Sequence, residues 1–389
     1  MNFAFTPEQD QFRKEVRDFL EKEWPKDPAK VQEDQWACAS SREFSKKLAK
    51  KGWIGLTWPK KYGGQERSYL DRLILTEEVL RCGAPVHHHW FADRQMGPAI
   101  LAHGTEEQKQ EFLPRIISGE IAFCIGQSEP QAGSDLVSVQ TRAVEDGDYF
   151  VVNGQKVWTS GAHEADYMYM IARTDPDAPK HRGISEIIVD MKLPGITCRQ
   201  MLDISGSSHL NEVFLDNVRI HKKYLVGQKN RGWYQIMSQL DYERSGVERL
   251  MSNYPILMDL VEWAKTTRLE EPQRTHVRQQ LAALLTEFEV GKLLCYRIAW
   301  MLSSGIVPNY ETAMTKFYCT EYEQRLANAA TQMLGIYGQL MPGSKAAMFG
   351  GRLARAFLYS PAYTLQGGTS QVMRTIVATR GLGLPAGDK

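Results

Sequence analysis

The sequence predicts an α+β chain in three parts: a helical N-terminal region, a small and mostly β middle, and a helical C-terminal bundle. Three observations predict it. Apolar residues recur at helical spacing up to about residue 120; the period falls to two between about 121 and 225; it turns helical again after Val226-Gly227. A chain of 389 residues is also too long for one small core. The expected domains are 1–120, 121–228 and 229–389.

In the first part, Thr6-Pro7-Glu8-Gln9 reads as an N-cap, a proline at the first helical position and a capping-box glutamine. Phe12, Val16, Phe19 and Leu20 then share one face. Further helices are expected at 41–52, 68–82, 87–102 and 105–118. In the middle part, residues 148–152 run into Asn153-Gly154, a type I′ hairpin signal, with 155–159 as the return strand. Strands are also expected at 167–173, 184–191 and 212–220, punctuated by turns such as Lys192-Leu193-Pro194-Gly195. The last part offers helices near 230–268, 272–304, 309–338 and 343–358. Their lengths and short links suit an antiparallel four-helix bundle, and a final helix begins near 369.

Composition removes several function classes. With 47 basic and 46 acidic side chains and no basic stripe, no nucleic-acid partner is expected. No run approaches ~18 consecutive apolar residues, so no membrane span is expected. The N-terminus carries charge where a secretory signal would be apolar, and no transit peptide is seen. A cytoplasmic protein is expected, with the mitochondrial matrix as the alternative. Six scattered cysteines without CxxC spacing read as buried thiols. His87-His88-His89 has no second cluster at metal-ligand spacing, so no metal is expected.

Ser128-Glu129-Pro130-Gln131-Ala132-Gly133-Ser134-Asp135 sits where the helical part gives way to the β part. Its small residues let the backbone approach a ligand, and its hydroxyls and N–H groups suit oxyanions. Taken alone, it reads equally well as a domain-junction turn. The whole string, however, resembles the S/T-E-P-x-A-G-S-D signature of the acyl-CoA dehydrogenases. Lys156-Val157-Trp158-Thr159-Ser160-Gly161 resembles that family's second motif at the family's separation. The likeness extends through Val226-Gly227, residues 241–244, Gln332-Met333-Leu334-Gly335 and Gly368-Thr369-Ser370-Gln371. It therefore covers nearly the whole chain.

The resemblance implies the family's order of helical domain, small β-barrel and four-helix bundle. It also implies FAD as cofactor and an acyl-CoA thioester as substrate, gaining an α,β double bond. By the same likeness, Gln127, Ser128, Gly133, Ser134, Gln332, Gly335, Thr369 and Gln371 would meet the cofactor. Ser134 and Gly368 would also meet the thioester. Trp158, Thr159 and Ser160 would flank the flavin ring, with the Ser160 hydroxyl toward N5. The alternative for Trp158 is ordinary burial on a strand face.

The family's chemistry needs a carboxylate beside the α-carbon. Most members carry a glutamate directly before the Gly-Thr of the last motif, and here that position is Gly367. Its backbone N–H could still donate to the thioester carbonyl. A minority, including isovaleryl-CoA dehydrogenases and crotonobetainyl-CoA reductases, places the base on a bundle helix in an L-D-x-E-R-like run. Leu240-Asp241-Tyr242-Glu243-Arg244 matches that pattern, making Glu243 the expected base. Its helical neighbours Gln239, Leu240, Gly246 and Val247 carry no positive charge, against a surface ion pair. Asp241 and Arg244 resemble CoA contacts, though with Glu248 they could pair on a surface instead.

Asp93 is the alternative base, because certain alicyclic members use an aspartate from that region, and His89 stands one helical turn before it. Arg94 could bind a polar or carboxylate-bearing acyl tail if it points inward. The chain departs again at residues 266–274, which lack the family's R-x-x-F-G-like segment, so the adenine end would be held differently. An electron-transfer flavoprotein is the expected electron acceptor, and a homotetramer or homodimer the expected assembly. Three rival readings remain: an enoyl-CoA reductase, a flavin monooxygenase or oxidase, and a silent subunit of a heteromeric dehydrogenase.

Overall fold

A computed structural model describes residues 4–24, 35–243 and 246–386, with residues 35 and 238–243 described by backbone alone. Two compact units emerge, one built from 1–36, 68–84 and 244–389, the other from 37–67 and 85–243.

The second unit carries the β structure. Its strands are β1 (Phe123–Gly126), β2 (Arg142–Asp146), β3 (Tyr149–Lys156), β4 (Tyr167–Arg173), β5 (Ile184–Asp190), β6 (Ile196–Met201), β7 (Leu210–His221) and β8 (Leu225–Val226). They form one eight-stranded sheet in the order β6-β7-β3-β2-β4-β5-β8, with β1 parallel to β4. Phe150, Val152, Met168, Met170, Ile187, Val189, Val213 and Val218 alternate inward from these strands and form its core. Each buried side chain of this size is worth roughly 1.5–3 kcal/mol.

Asn153-Gly154 does not turn the chain. β3 runs straight through it, and the hairpin closes at Gly147, whose φ of 57° supplies the left-handed residue. Asn153-Gly154 instead marks a register shift against β7, where Asn153 exchanges hydrogen bonds with Asn217. Gly154 is required there because a Cβ would stand 2.7 Å from the Thr141 Cα. The expected return strand at 155–159 is therefore the far end of β3, which stops at Lys156.

Helices Arg42–Lys50, His87–Phe91, Gly97–His103, Glu106–Ile117 and Gly232–Glu243 belong to this unit. The expected helix at 87–102 is interrupted by a π turn at Ala92–Met96. Pro98 brings no N–H to the ladder, and the Gly97 N–H bonds back to Ala92 across five residues. Helix Gly232–Glu243 packs against β5 and against that π turn.

The first unit is helical: Pro7–Glu23, Tyr69–Arg81, Glu248–Met251, Tyr254–Thr266, Gln273–Ser303, Tyr310–Met333, Arg352–Tyr363 and Ser370–Ile376. The Thr6 capping box forms as expected. Arg13 and Arg17 reach the buried carboxylate of Glu78, joining Pro7–Glu23 to Tyr69–Arg81. The single helix expected over 230–268 is three helices, the last opening on Pro255. The helix expected from 343 starts only at Arg352, because Phe349, Gly350 and Gly351 all have left-handed backbone. Among the described residues no helix is long and apolar enough to cross a membrane.

Candidate active site

The two sequence motifs of the second unit meet on one side of the sheet. Val157 N–H donates to the Ser128 carbonyl at 2.9 Å, and Thr159 N–H to Asn211 at 3.0 Å. Beneath them lies a buried ion pair. Lys156 Nζ is 2.7 Å from Glu129 Oε1 and also donates to the Gln127 carbonyl at 3.2 Å. Glu129 further accepts the N–H groups of Gln140 and Thr141 at 2.6 and 2.9 Å and the Gln131 amide. Burial pulls the Lys156 ammonium down to a pKa of about 8, with Glu129 acting against that shift. Glu129 in turn sits below the ordinary carboxylate range: its own burial is outweighed by Lys156 and the backbone donors.

Trp158 rises from this base with a φ of 60°, a left-handed conformation rare for a bulky residue. Its side chain is 59% exposed, so it is not buried on a strand face. Thr159 has a buried hydroxyl with no hydrogen-bond partner among the described residues. Ser134 and Gly133 are exposed, and a Cβ on Gly133 would meet nothing within 4 Å. A projecting indole, a buried hydroxyl without a partner and an open glycine loop fit a planar heteroaromatic group carrying hydrogen-bonding edges. FAD is such a group. Gln127, Ser128 and Ser160 are half-buried beside these positions in sequence.

The histidine run faces three separate partners. The His87 ring lies against Gly161, whose added Cβ would stand 2.1 Å from Nε2. His88 Nε2 is 3.2 Å from the Gly119 carbonyl, and His89 Nδ1 is 2.8 Å from the Ser45 hydroxyl. Asp93 accepts the Gly55 N–H at 2.7 Å, so its carboxylate already serves a loop. Arg94 lies over the Trp90 ring at 4.5 Å and is half-buried. Asp241 and Glu243 are the end of helix Gly232–Glu243, with side chains outside the described residues, and Arg244 lies outside them altogether.

In the first unit, the last motif is held from below. Lys316, 1% exposed, donates to the carbonyls of Tyr363 and Gly368 at 3.1 and 2.6 Å. Thr369 caps helix Ser370–Ile376 by accepting the Val372 N–H at 3.2 Å. Ser370 Oγ and Gln366 Nε2 are buried with no hydrogen-bond partner among the described residues. Gly367 has a φ of 64°, and a Cβ there would stand 2.6 Å from Arg249 Nη2. Gln332, Gly335 and Gln371 are exposed at helix ends. Gly335 has a φ of 56° and open space where its Cβ would be.

Sequence reading passed over four of these groups, Lys316 among them. Glu129 and Lys156 stood inside quoted motifs but were not singled out, and only their buried pairing reveals a role. Arg249 carried a faint signal, as one of two adjacent charges, with Glu248, in the largely apolar run 247–257.

Three family models match in chain order: Acyl-CoA dehydrogenase, N-terminal domain, over residues 6–120; middle domain, over 124–218; and C-terminal domain, over 230–382. Acyl-CoA dehydrogenase FadE26 of Mycobacterium tuberculosis is 34% identical, with 100% of both chains covered. Among solved structures, the Tcur3481-Tcur3483 steroid ACAD superposes with a TM-score of 0.90 at 35% identity, covering 99% of this chain and 100% of that one. The ChsE4-ChsE5 complex from Mycobacterium tuberculosis follows with a TM-score of 0.86 at 36% identity, over 99% of this chain and 100% of that one. With its helical and β regions in the family's order and a flavin-compatible face on the sheet, the chain belongs to the acyl-CoA dehydrogenase family, FAD-dependent oxidoreductases of acyl-CoA thioesters.

Proposed function

We propose that this dehydrogenase acts on a branched, cyclic or polar acyl group, with Glu243 as the base that takes the α-proton. The observation that carries the reading is at Gly367. The space where the usual carboxylate would begin is filled by the Arg249 guanidinium, so a base at that position is sterically displaced as well as missing. Asp93 is engaged by the Gly55 N–H, which favours Glu243 over it. The related Tcur3481-Tcur3483 steroid ACAD supports a cyclic acyl group.

In this reading, the Gly367 N–H donates to the thioester carbonyl, and Lys316 fixes the Gly368 carbonyl so that the loop keeps its course. Glu243 is the carboxylate that receives the α-proton. Bound FAD supplies the two-electron acceptor for the hydride leaving the β-carbon. The residues that would hold it are Gln127, Ser128, Gly133, Ser134, Trp158, Thr159 and Ser160, with Gln332, Gly335, Thr369 and Gln371 toward its far end. Asp241, Arg244, Ser134 and Gly368 would grip the CoA thioester, and Arg94 a polar acyl tail. Electrons pass on to an electron-transfer flavoprotein. The related ChsE4-ChsE5 complex supports an assembly of two different chains beside a homotetramer or homodimer.

The test is anaerobic mixing of the yellow protein with straight-chain, branched and cyclic acyl-CoAs while flavin absorbance is followed. Bleaching by the branched or cyclic thioesters, lost in Glu243→Gln and kept in Asp93→Asn, is expected. Bleaching that survives in Glu243→Gln and disappears in Asp93→Asn would reverse the base assignment. A colourless purified chain would instead favour the silent-subunit reading.

A further inference from the structure

We infer that Arg249 is a catalytic residue of this site, a fixed cation that stabilises the negative charge of the substrate enolate. The inference rests on the reading above, in which Gly367 holds the thioester.

Its grounds are geometric. The three atoms nearest a Cβ added at Gly367 all belong to Arg249: Nη2 at 2.6 Å, Cζ at 3.2 Å and Nη1 at 3.5 Å. The guanidinium is thus within contact of the residue that carries the family's thioester contact. Arg249 is itself 7% exposed and lies over the Trp36 ring at 4.9 Å. Trp36 is fixed by a hydrogen bond to Ser252 at 3.1 Å, so indole and guanidinium are held together as one rigid layer. A planar cation in a buried setting interacts strongly across low dielectric.

The chemistry needs such a group. When the α C–H bond breaks, the proton goes to the base carboxylate and the electron pair stays on the substrate as enolate charge, shared with the thioester oxygen. Departure of the β-hydride to the flavin then leaves the α,β double bond. In members with a glutamate at the 367 position, a negative group stands on this face. Here the sign is reversed, because glycine admits the guanidinium instead. The cation interacts more strongly with the enolate than with the neutral thioester, which is the condition for lowering a barrier.

The probe is a 3-thia acyl-CoA, whose α-proton is acidic, incubated with the FAD-loaded enzyme in deuterated water. Deuterium incorporation at the α-carbon is read by mass spectrometry, with thioester affinity measured separately by titration calorimetry. Arg249→Gln is expected to slow exchange about a hundredfold, as loss of one oxyanion donor does. Arg249→Lys is expected to recover part of it, with affinity changed less than threefold in both. Exchange in Arg249→Gln within threefold of the parent would overturn the inference, while bleaching of the parent by acyl-CoA would leave the reading of the site intact. Equal losses of exchange, affinity and bound flavin would also overturn it, showing a packing role. A loss confined to carboxylate-bearing thioesters would overturn it too, in favour of substrate recognition. Should Arg249→Gln fail to fold, Arg249→Met decides by the same readout: it keeps an unbranched apolar stem against Trp36 without the charge, and exchange within threefold of the parent overturns the inference.

Discussion

Lys156 shows how one side chain joins two motifs that sequence reading treats separately. It lies at the end of β3, two residues before Trp158, and its Nζ reaches both Glu129 and the Gln127 carbonyl of the first motif. Neither partner of the pair is exposed beyond 2%, so breaking it leaves a carboxylate in a medium that penalises charge. Lys156→Met is expected to destabilise the protein by about 3–5 kcal/mol and to lower retained flavin in parallel. Chemical denaturation and the flavin-to-protein absorbance ratio measure the two. A variant within ~1 kcal/mol of the parent, carrying full flavin, would mean that the three amide donors satisfy Glu129 without Lys156.

Local signals located most helices and several strands but not the breaks between them. The capping box at Thr6 and the helices at 42–50, 69–81 and 106–117 were legible because their caps and periodicity lie within a few residues. Asn153-Gly154 was misread for the opposite reason: its meaning depends on β7, about sixty residues away. A hairpin turn there would tolerate a Cβ poorly because of backbone conformation, whereas the observed bulge rejects it because Thr141 is in the way. Gly154→Ala is therefore expected to cost at least 1–3 kcal/mol. Trimming the neighbour in the double variant Gly154→Ala with Thr141→Gly should recover part of that loss in thermal unfolding. An additive pair would show that the backbone sets the requirement, since the Thr141 Cα, 2.7 Å from that Cβ, remains in the glycine variant. The site divides similarly. Ser128 to Asp135 and Trp158 to Ser160 are contiguous strings, visible by likeness. The contact between Arg249 and Gly367 spans a fold-level distance that no local pattern encodes.

Taken together, the near-neutral balance of 47 basic and 46 acidic groups means that no large net charge drives acid unfolding near pH 6. The early response to acid must come from individual buried groups, and the His87–Phe91 helix supplies them. His89 is buried, and desolvation lowers its pKa from 6.5 to about 4; Asp93 opposes that shift, while His88, Arg94 and His87 reinforce it. His88 is lowered as well, chiefly by burial and next by Arg42. The sign follows from linkage. Between pH 6.5 and about 4 the unfolded chain binds a proton at His89 that the folded chain refuses, so stability falls as pH falls through that window. For His89 the loss reaches roughly 3 kcal/mol once pH drops below the folded value. Glu78 and Glu129, both held below the ordinary carboxylate range by their cationic partners, add their loss only at lower pH. Two stages of acid destabilisation are thus expected, the first belonging to histidine. His89→Gln keeps a polar side chain facing Ser45 but has no proton to gain, so its melting temperature should change less between pH 6.5 and 4.5 than the parent's. Parallel curves for the two proteins across that interval would show that the acid response originates elsewhere.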